Sequence, residues 1–315
     1  MSVEQPLFYT AKTIKHKDRS DIVSIKTGIS LLDKKIIGLN KGEVTCVSGL
    51  RGSAKSSLLS QISIEIADMG RKVALFSGEL MESRVLEWLQ LQAAGKYHTI
   101  PSSYENYFSV GDRTRQQINE WLEQKIFVYN NAYGKKVETI MKSMEDCINK
   151  KGVDVIILDN LMSINLESNN YNKNDKQSEF IHYVMDFSHT NNVHVIPVIH
   201  PRKTIGFLRI EDISGTADLT NAVDNVFIVH RVNNDFKRLS AQTFGWKADN
   251  EIYEYSNVIE VCKNRDLGVQ DLFVGLYYEK ESKRFLNNIG EHKTYGWENN
   301  AEIDLNEKFV NPFDL

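Results

Sequence analysis

Cysteine is scarce in this sequence: Cys46, Cys147 and Cys262 are an odd three among 315 residues. With no C-x-x-C spacing between them, a disulfide framework and a cysteine-built zinc site are both excluded. No run approaches the roughly 18 uninterrupted apolar residues that a membrane span needs. The opening MSVEQPLFYTAKTIKHKDRS lacks the apolar core of a signal peptide, so the expectation is a cytoplasmic protein with no membrane partner. A dominant charge of one sign is missing too. Lys and Arg number 38 against 42 Asp and Glu, a formal charge of −4, which predicts no strong overall pull on nucleic acid but leaves room for a local basic channel. No internal repeat is visible, and the only biased tract is the Asn-rich 169–174.

What is present is a hydrophobic fraction of 41% with 25% charged residues, enough to bury a sizeable core and to exclude wholesale disorder. Division by about 150 residues per domain suggests two domains, although one α/β domain often runs this long. Strand-like and helix-like segments alternate from residue 27 to about 287. Strands are expected over 43–48, 72–77, 126–130, 153–159 and 193–200. Between them, helical periodicity marks Ser56–Asp68 through Leu58, Leu59, Ile62 and Ile66. It marks Glu82–Ala94 through Val85, Leu86, Leu89 and Ala93, and a third helix through Val137, Ile140, Met141, Met144 and Ile148. A further helix is expected around 179–188. Near-continuous apolar strands are what a parallel sheet covered on both faces requires. The last third changes character, with strands at 224–231, 255–263, 272–279 and 284–286 separated by short loops, as in antiparallel hairpins.

The most informative segment is Gly49-Leu50-Arg51-Gly52-Ser53-Ala54-Lys55-Ser56, followed by Ser57, between a strand and a helix. It fits the P-loop pattern G-x-x-x-x-G-K-[ST] except that Ala54 stands where glycine is expected. In such a loop backbone N–H groups cradle phosphates, Lys55 reaches the β- and γ-phosphates, and the Ser56 hydroxyl holds Mg²⁺. If position 54 needs a positive φ, alanine there stores on the order of 1 kcal/mol of strain. Val155-Ile156-Ile157-Leu158-Asp159 supplies a carboxylate at a strand end, the second expected holder of the metal. Glu79, after the strand KVALFSG, is the expected base for water; Glu82 reads instead as an acid in a helix first turn.

Taken together these residues resemble the RecA-like motor domain of DnaB-type hexameric replicative helicases, closest to Twinkle and to the helicase halves of phage primase-helicases. Thr27-Gly28-Ile29-Ser30-Leu31-Leu32-Asp33 and Gly38-Leu39-Asn40-Lys41-Gly42-Glu43 resemble the family's lead-in, and Ser77-Gly78-Glu79-Leu80-Met81 its base-bearing region. The resemblance implies a RecA-like P-loop NTPase, an α/β fold with a mostly parallel central sheet, helices on both faces and C-terminal antiparallel hairpins. It makes His200, in Ile199-His200-Pro201-Arg202-Lys203, a γ-phosphate sensor, where a lone strand-end histidine would otherwise carry no role. It makes Lys263 and Arg265 fingers that reach ATP on the neighbouring subunit, and Arg231 and Tyr278 an adenine sandwich. The stretch 212–217 with 222–225 resembles a DNA-facing motif, and the loops 165–177 and 202–215 would face a central channel. Their cations, Lys173, Lys176, Arg202, Lys203 and Arg209, become the expected DNA contacts, multiplied by a ring.

The implied activity is an ATP-dependent DNA helicase core that translocates on single-stranded DNA in replication, using ATP and Mg²⁺ at subunit interfaces of a homo-oligomer, expected to be a hexameric ring. A separate primase or other replication partner is expected, because no primase half, zinc module or helical collar domain is recognisable. Two alternatives stay open: a RecA or recombinase-type ATPase that binds DNA without unwinding, and a nucleotide-binding helicase-associated scaffold, which Ala54 favours. The expected division is an N-terminal arm or linker over 1–25, one motor domain over 26–290 and an acidic C-terminal tail over 291–315.

Overall fold

Short strands of branched apolar residues, alternating with helices that each carry an apolar stripe, bury both surfaces only by layering helices over a sheet. The structure is a computed structural model and describes residues 8–13, 24–165, 173–202, 206–213 and 217–298. The chain begins with β1 (Ser24–Ile25), α1 (Ser30–Ile36) and β2 (Leu39–Asn40), in which β1 and β2 pair antiparallel around the helix. Next, β3 (Thr45–Ser48) runs through the 49–54 loop into α2 (Lys55–Asp68). After β4 (Val73–Ser77) and α3 (Glu82–Ala94) comes a small antiparallel pair, β5 (Thr99–Pro101) and β6 (Phe108–Val110). Then follow α4 (Asp112–Leu122), β7 (Ile126–Val128), α5 (Val137–Lys151) and β8 (Val155–Asp159). The second half holds α6 (Lys173–Asn191), β9 (His194–Pro197), α7 (Ala217–Ala222), β10 (Asn225–Arg231) and α8 (Asn234–Phe244). It closes on β11 (Asn257–Asn264), β12 (Leu272–Glu279) and β13 (Arg284–Leu286).

One parallel block has the order β7-β4-β8-β9, and a second block runs β3-β10-β11-β12-β13. Parallel bridges Val44–Val195 and Val47–Val198 join the two blocks between β3 and β9. From β10 onward the pairing is antiparallel, so the sheet is parallel at its centre with a C-terminal antiparallel wing, as the sequence pattern requires. Alternation along each strand divides the core in two. On β8, Val155 and Ile157 join the cluster under α1, α2, α3 and α4, while Ile156 and Leu158 join the cluster under α5, α6 and α7. Each fully buried Ile or Leu contributes about 1.5–3 kcal/mol by leaving water. Truncating Ile157, fully buried in β8, to alanine would cost about 2–5 kcal/mol, with the cavity included.

Several expectations are corrected. Leu86 is 38% exposed, because Val85, Leu89 and Ala93 define the inward stripe of α3 and residue 86 lies about 100° around the helix from Val85. Residues 291–298 are no tail: Tyr295 and Trp297 are 3% exposed, and Trp297 Nε1 donates to the Ala93 carbonyl at 2.9 Å. At the other end Ile25 is 2% exposed within β1, so the expected arm takes in a strand that packs with the domain. The helices α1, α4 and α8 were not expected. In α4 only Ile118 and Leu122 are buried, and two apolar anchors give little periodicity to read. The cations of residues 15–19, the tail 299–315, Lys203, residues 214–216 and the Lys173 side chain lie outside the described residues.

Candidate nucleotide site

Parallel strands β3, β4, β8 and β9 end at one edge of the sheet, and the loops leaving them therefore converge there. This brings together the 49–56 loop, Glu79, Asp159 and His200 around a cleft of about 350 Å³. The loop's shape follows from its small residues. Gly49 has φ 152°, and a Cβ there would sit 2.4 Å from the Val229 carbonyl oxygen and 2.6 Å from Ser53 Oγ, so no side chain fits. Ala54 is left-handed, with φ 69° and ψ 33°, in the cap position of α2. The strain foreseen for an alanine there, on the order of 1 kcal/mol, is thus present. Asn257 on β11 holds the loop by donating from Nδ2 to the Ser53 carbonyl at 3.0 Å.

Lys55 lies inside the loop, 7% exposed, and its ammonium donates to the carbonyls of Gly49 at 2.7 Å and Leu50 at 3.1 Å. Burial lowers its pKa, opposed by the charges of Asp159 and Glu79. Ser53 Oγ is buried and has no hydrogen-bond partner, an orphaned polar atom of the kind a phosphate oxygen satisfies. Beside them Ser56 Oγ donates to Asp159 Oδ2 at 2.6 Å. Burial raises the Asp159 pKa, partly offset by the Ser56 hydroxyl, with Glu79 adding repulsion. A buried carboxylate paired with a hydroxyl suits a hard divalent cation that keeps most of its ligands as water and phosphate oxygen. Among the described residues no group of three or more His, Cys, Asp or Glu is placed to hold a metal ion.

On the far side of Asp159 stands a polar cluster. Asn160 Nδ2 donates to Glu79 Oε1 at 2.5 Å and lies 2.8 Å from His200 Nε2, while His200 Nε2 is 3.3 Å from Glu79 Oε1. The Asn160 carbonyl oxygen accepts from both N–H and Oγ of Ser163, which fixes the amide's orientation. Gly78, just before Glu79, has no room for a Cβ against Ser163, and its N–H donates to the Asp159 carbonyl at 2.6 Å. Glu82 is elsewhere engaged: its carboxylate accepts the Asn131 N–H at 2.6 Å, and that bond lowers its pKa.

Of the residues singled out by sequence, Arg51, Gly52, Ala54, Lys55, Ser56, Ser57, Glu79, Asp159 and His200 line this cleft. Among the described residues, the other candidates do not line it. Lys263 Nζ donates to the carbonyls of Thr220, Asn221 and Val223, closing the C-terminus of α7. Arg265 pairs with Asp224 at 2.7 Å and donates to Asn221, Ala222 and Val223 carbonyls. Arg231 and Tyr278 lie on β10 and β12, close enough that the arginine's charge acts on the phenol, but neither lines the cleft. Arg209 is committed to Glu260 at 2.9 Å and Asp271 at 2.8 Å, so it is no free cation for DNA. Arg202 is exposed, and Lys176 is half-buried with a partner of its own. Sequence reasoning missed Asn160 and Trp88. A polar side chain directly after a strand-end Asp was the readable sign of the first.

Among solved structures, one isolated ATPase domain shares 16% identity with this chain over 85% of it and 92% of that domain, with a TM-score of 0.65. A DnaB-like replicative helicase, solved for its interactions with primase, shares 15% identity over 84% of this chain and 63% of the other, with a TM-score of 0.67. The chain thus spans less than two thirds of that second protein. Such likeness establishes the fold: the RecA-like architecture of DnaB-type ATPase domains. The sequence family described as an AAA domain matches residues 10–205, well over half of the chain, from before β1 through the P-loop, Asp159 and His200, and the chain belongs to that family.

Proposed function

We propose that this protein is an ATP-hydrolysing motor of the replicative-helicase kind, moving along single-stranded DNA as a ring with ATP bound between subunits. The observation that carries this reading is the Glu79–Asn160–His200 cluster set beside Lys55 and Asp159 in a DnaB-like fold. A bare phosphate-binding loop needs no such group. A carboxylate aligned by an amide and an imidazole is what proton removal from an attacking water requires.

In this reading the loop and Lys55 hold the triphosphate, with the ammonium moving from the Gly49 and Leu50 carbonyls to phosphate oxygens. Glu79 Oε1 takes the proton of the attacking water, and Asn160 keeps that carboxylate in place. Mg²⁺, held by Ser56 with Asp159 ordering its surroundings, would neutralise charge on the β- and γ-phosphates. His200 begins the segment that runs to Arg209 and Ile213, so a change at the phosphate end is passed to a candidate DNA-contacting loop. Lys263 and Arg265 would serve the neighbouring subunit's ATP; Arg265 is 48% exposed despite its local bonds. DNA contact falls to Arg202, Lys176, Lys173 and Lys203, with Arg209 as the loop's anchor. A primase or another replication protein is the natural partner for a chain of this fold.

The test is particle mass with and without a non-hydrolysable ATP analogue, followed by ATPase rate with and without single-stranded DNA. The expected result is an analogue-stabilised multimer and a DNA-stimulated rate that Lys55→Ala abolishes. Tight ATP binding with no turnover under any condition would turn the reading to a scaffold.

A further inference from the structure

The cleft around Lys55 has a mixed lining. Glu79, Asp159 and His200 contribute its acid–base groups, and Arg51, Ser57 and Trp88 line it as well. Among the described residues Trp88 is the sole Trp, Tyr or Phe in the lining. Its position has a clear structural origin. Gln92 of α3 donates from Nε2 to the Ser57 carbonyl at 2.7 Å and to the Lys283 carbonyl at 3.0 Å, tying α3 to α2 and to the turn before β13. Residue 88 lies one turn earlier on the same face of α3, nearer the sheet edge where the loop opens. The half-buried indole shares the lining of the cleft with Ser57 and the rest of the phosphate-binding loop. Lys283 places its ammonium 5.5 Å from the indole centroid. Trp88 also lines a second, smaller cavity of about 70 Å³, with Asn106, Tyr107 and Lys280 among its walls, so the groove continues past the ring.

We infer that Trp88 is the stacking platform for the nucleobase of the bound nucleoside triphosphate, with Lys283 beside it, in place of the Arg231–Tyr278 sandwich expected from the resemblance. The inference rests on the nucleotide reading of the cleft. A planar base leaving a phosphate cradle gains most from an aromatic face, and among the described residues Trp88 is the Trp, Tyr or Phe that lines the cleft. Stacking tolerates any base, so this contact secures affinity for nucleotides without choosing among purines.

The experiment uses the full chain and follows tryptophan emission and calorimetric binding in parallel. The sequence has four tryptophans, and Trp121, Trp246 and Trp297 all lie outside the cleft. ATP and ADP are expected to quench the emission, while inorganic tripolyphosphate binds without quenching. Trp88→Phe should abolish the quenching and keep affinity within about twofold, since a phenyl ring still stacks. Trp88→Ala should weaken ATP about tenfold and leave tripolyphosphate affinity unchanged, with Tyr278→Ala changing ATP affinity less. The proposal is overturned if calorimetry records ATP binding to the wild type with no change in emission. It is also overturned if Trp88→Ala binds ATP as the wild type does, or if tripolyphosphate quenches as strongly as ATP. Absence of any calorimetric ATP binding to the wild type, and not only to Lys55→Ala, would remove the nucleotide reading along with it.

Discussion

Lys55 and Ser56 were legible from spacing alone, because a phosphate cradle demands a fixed number of residues between its first glycine and its lysine. The left-handed turn at Ala54 was legible as well, since the motif asks for glycine where the sequence has alanine. Asn160 was not, because its meaning depends on two carboxyl-edge neighbours from β4 and β9 that only the sheet order brings within 3 Å of it. Its amide touches both Glu79 and His200, but Asn160 is not among the residues that line the cleft. Asn160→Ala is therefore expected to lower the turnover number about a hundredfold, the usual contribution of an aligned acid–base group, with KM for ATP little changed. Steady-state kinetics of the purified variant makes that division. Loss of affinity with turnover intact would show instead that Asn160 serves binding.

At the scale of elements, the central strands were read to within two or three residues because each is a short apolar run between turn signals. The helices α4 and α8 were not, having few buried anchors, and the 291–298 segment was mistaken for tail because its acids hide two buried aromatic residues. How β9 is tied to its neighbours also needed the structure. His194 is fully buried there, with Nδ1 2.7 Å from the Asn40 carbonyl and Nε2 2.9 Å from Thr45 Oγ1. A carbonyl only accepts, so Nδ1 carries a proton, and in the neutral ring Nε2 accepts from the threonine hydroxyl. Burial lowers its pKa from 6.5 to about 4. In the unfolded chain the ring takes up a proton as pH falls through about 6.5, while the folded chain resists until about 4. The stability it contributes is thus complete above pH 6.5 and lost as the pH falls toward 4. Urea denaturation at a series of pH values should show the wild type losing about 1.4 kcal/mol per pH unit more than His194→Gln across that window. The comparison is of slopes, because Glu43 nearby, its pKa raised by burial, tilts both proteins the other way. Equal slopes would mean that the imidazole is charged in the fold.

For the whole molecule, the near-neutral charge of −4 and the paired state of Arg209 mean that one subunit offers little grip on a phosphate backbone. A ring concentrates the few remaining cations, and the same assembly would complete the nucleotide site. In a single chain Lys263 and Arg265 close the end of α7, on the C-terminal wing, while the cleft opens from the parallel strands. Neither cation lines the cleft of its own chain, so in the proposed ring their action on ATP would be on a neighbour's. That division of labour makes a specific prediction. Lys55→Ala spoils the subunit's own cleft, and Arg265→Ala spoils only its neighbour's, so each variant alone is expected to lack DNA-stimulated ATPase. Mixed in equal amounts and allowed to exchange, they place an intact Lys55 against an intact Arg265 at about a quarter of the interfaces in a closed head-to-tail ring. ATPase activity should then reappear in the mixture, at a level that follows the mixing ratio. A mixture as inactive as its components, in particles shown by mass to contain both variants, would return Arg265 to the purely local role its bonds to Asp224 and α7 already give it.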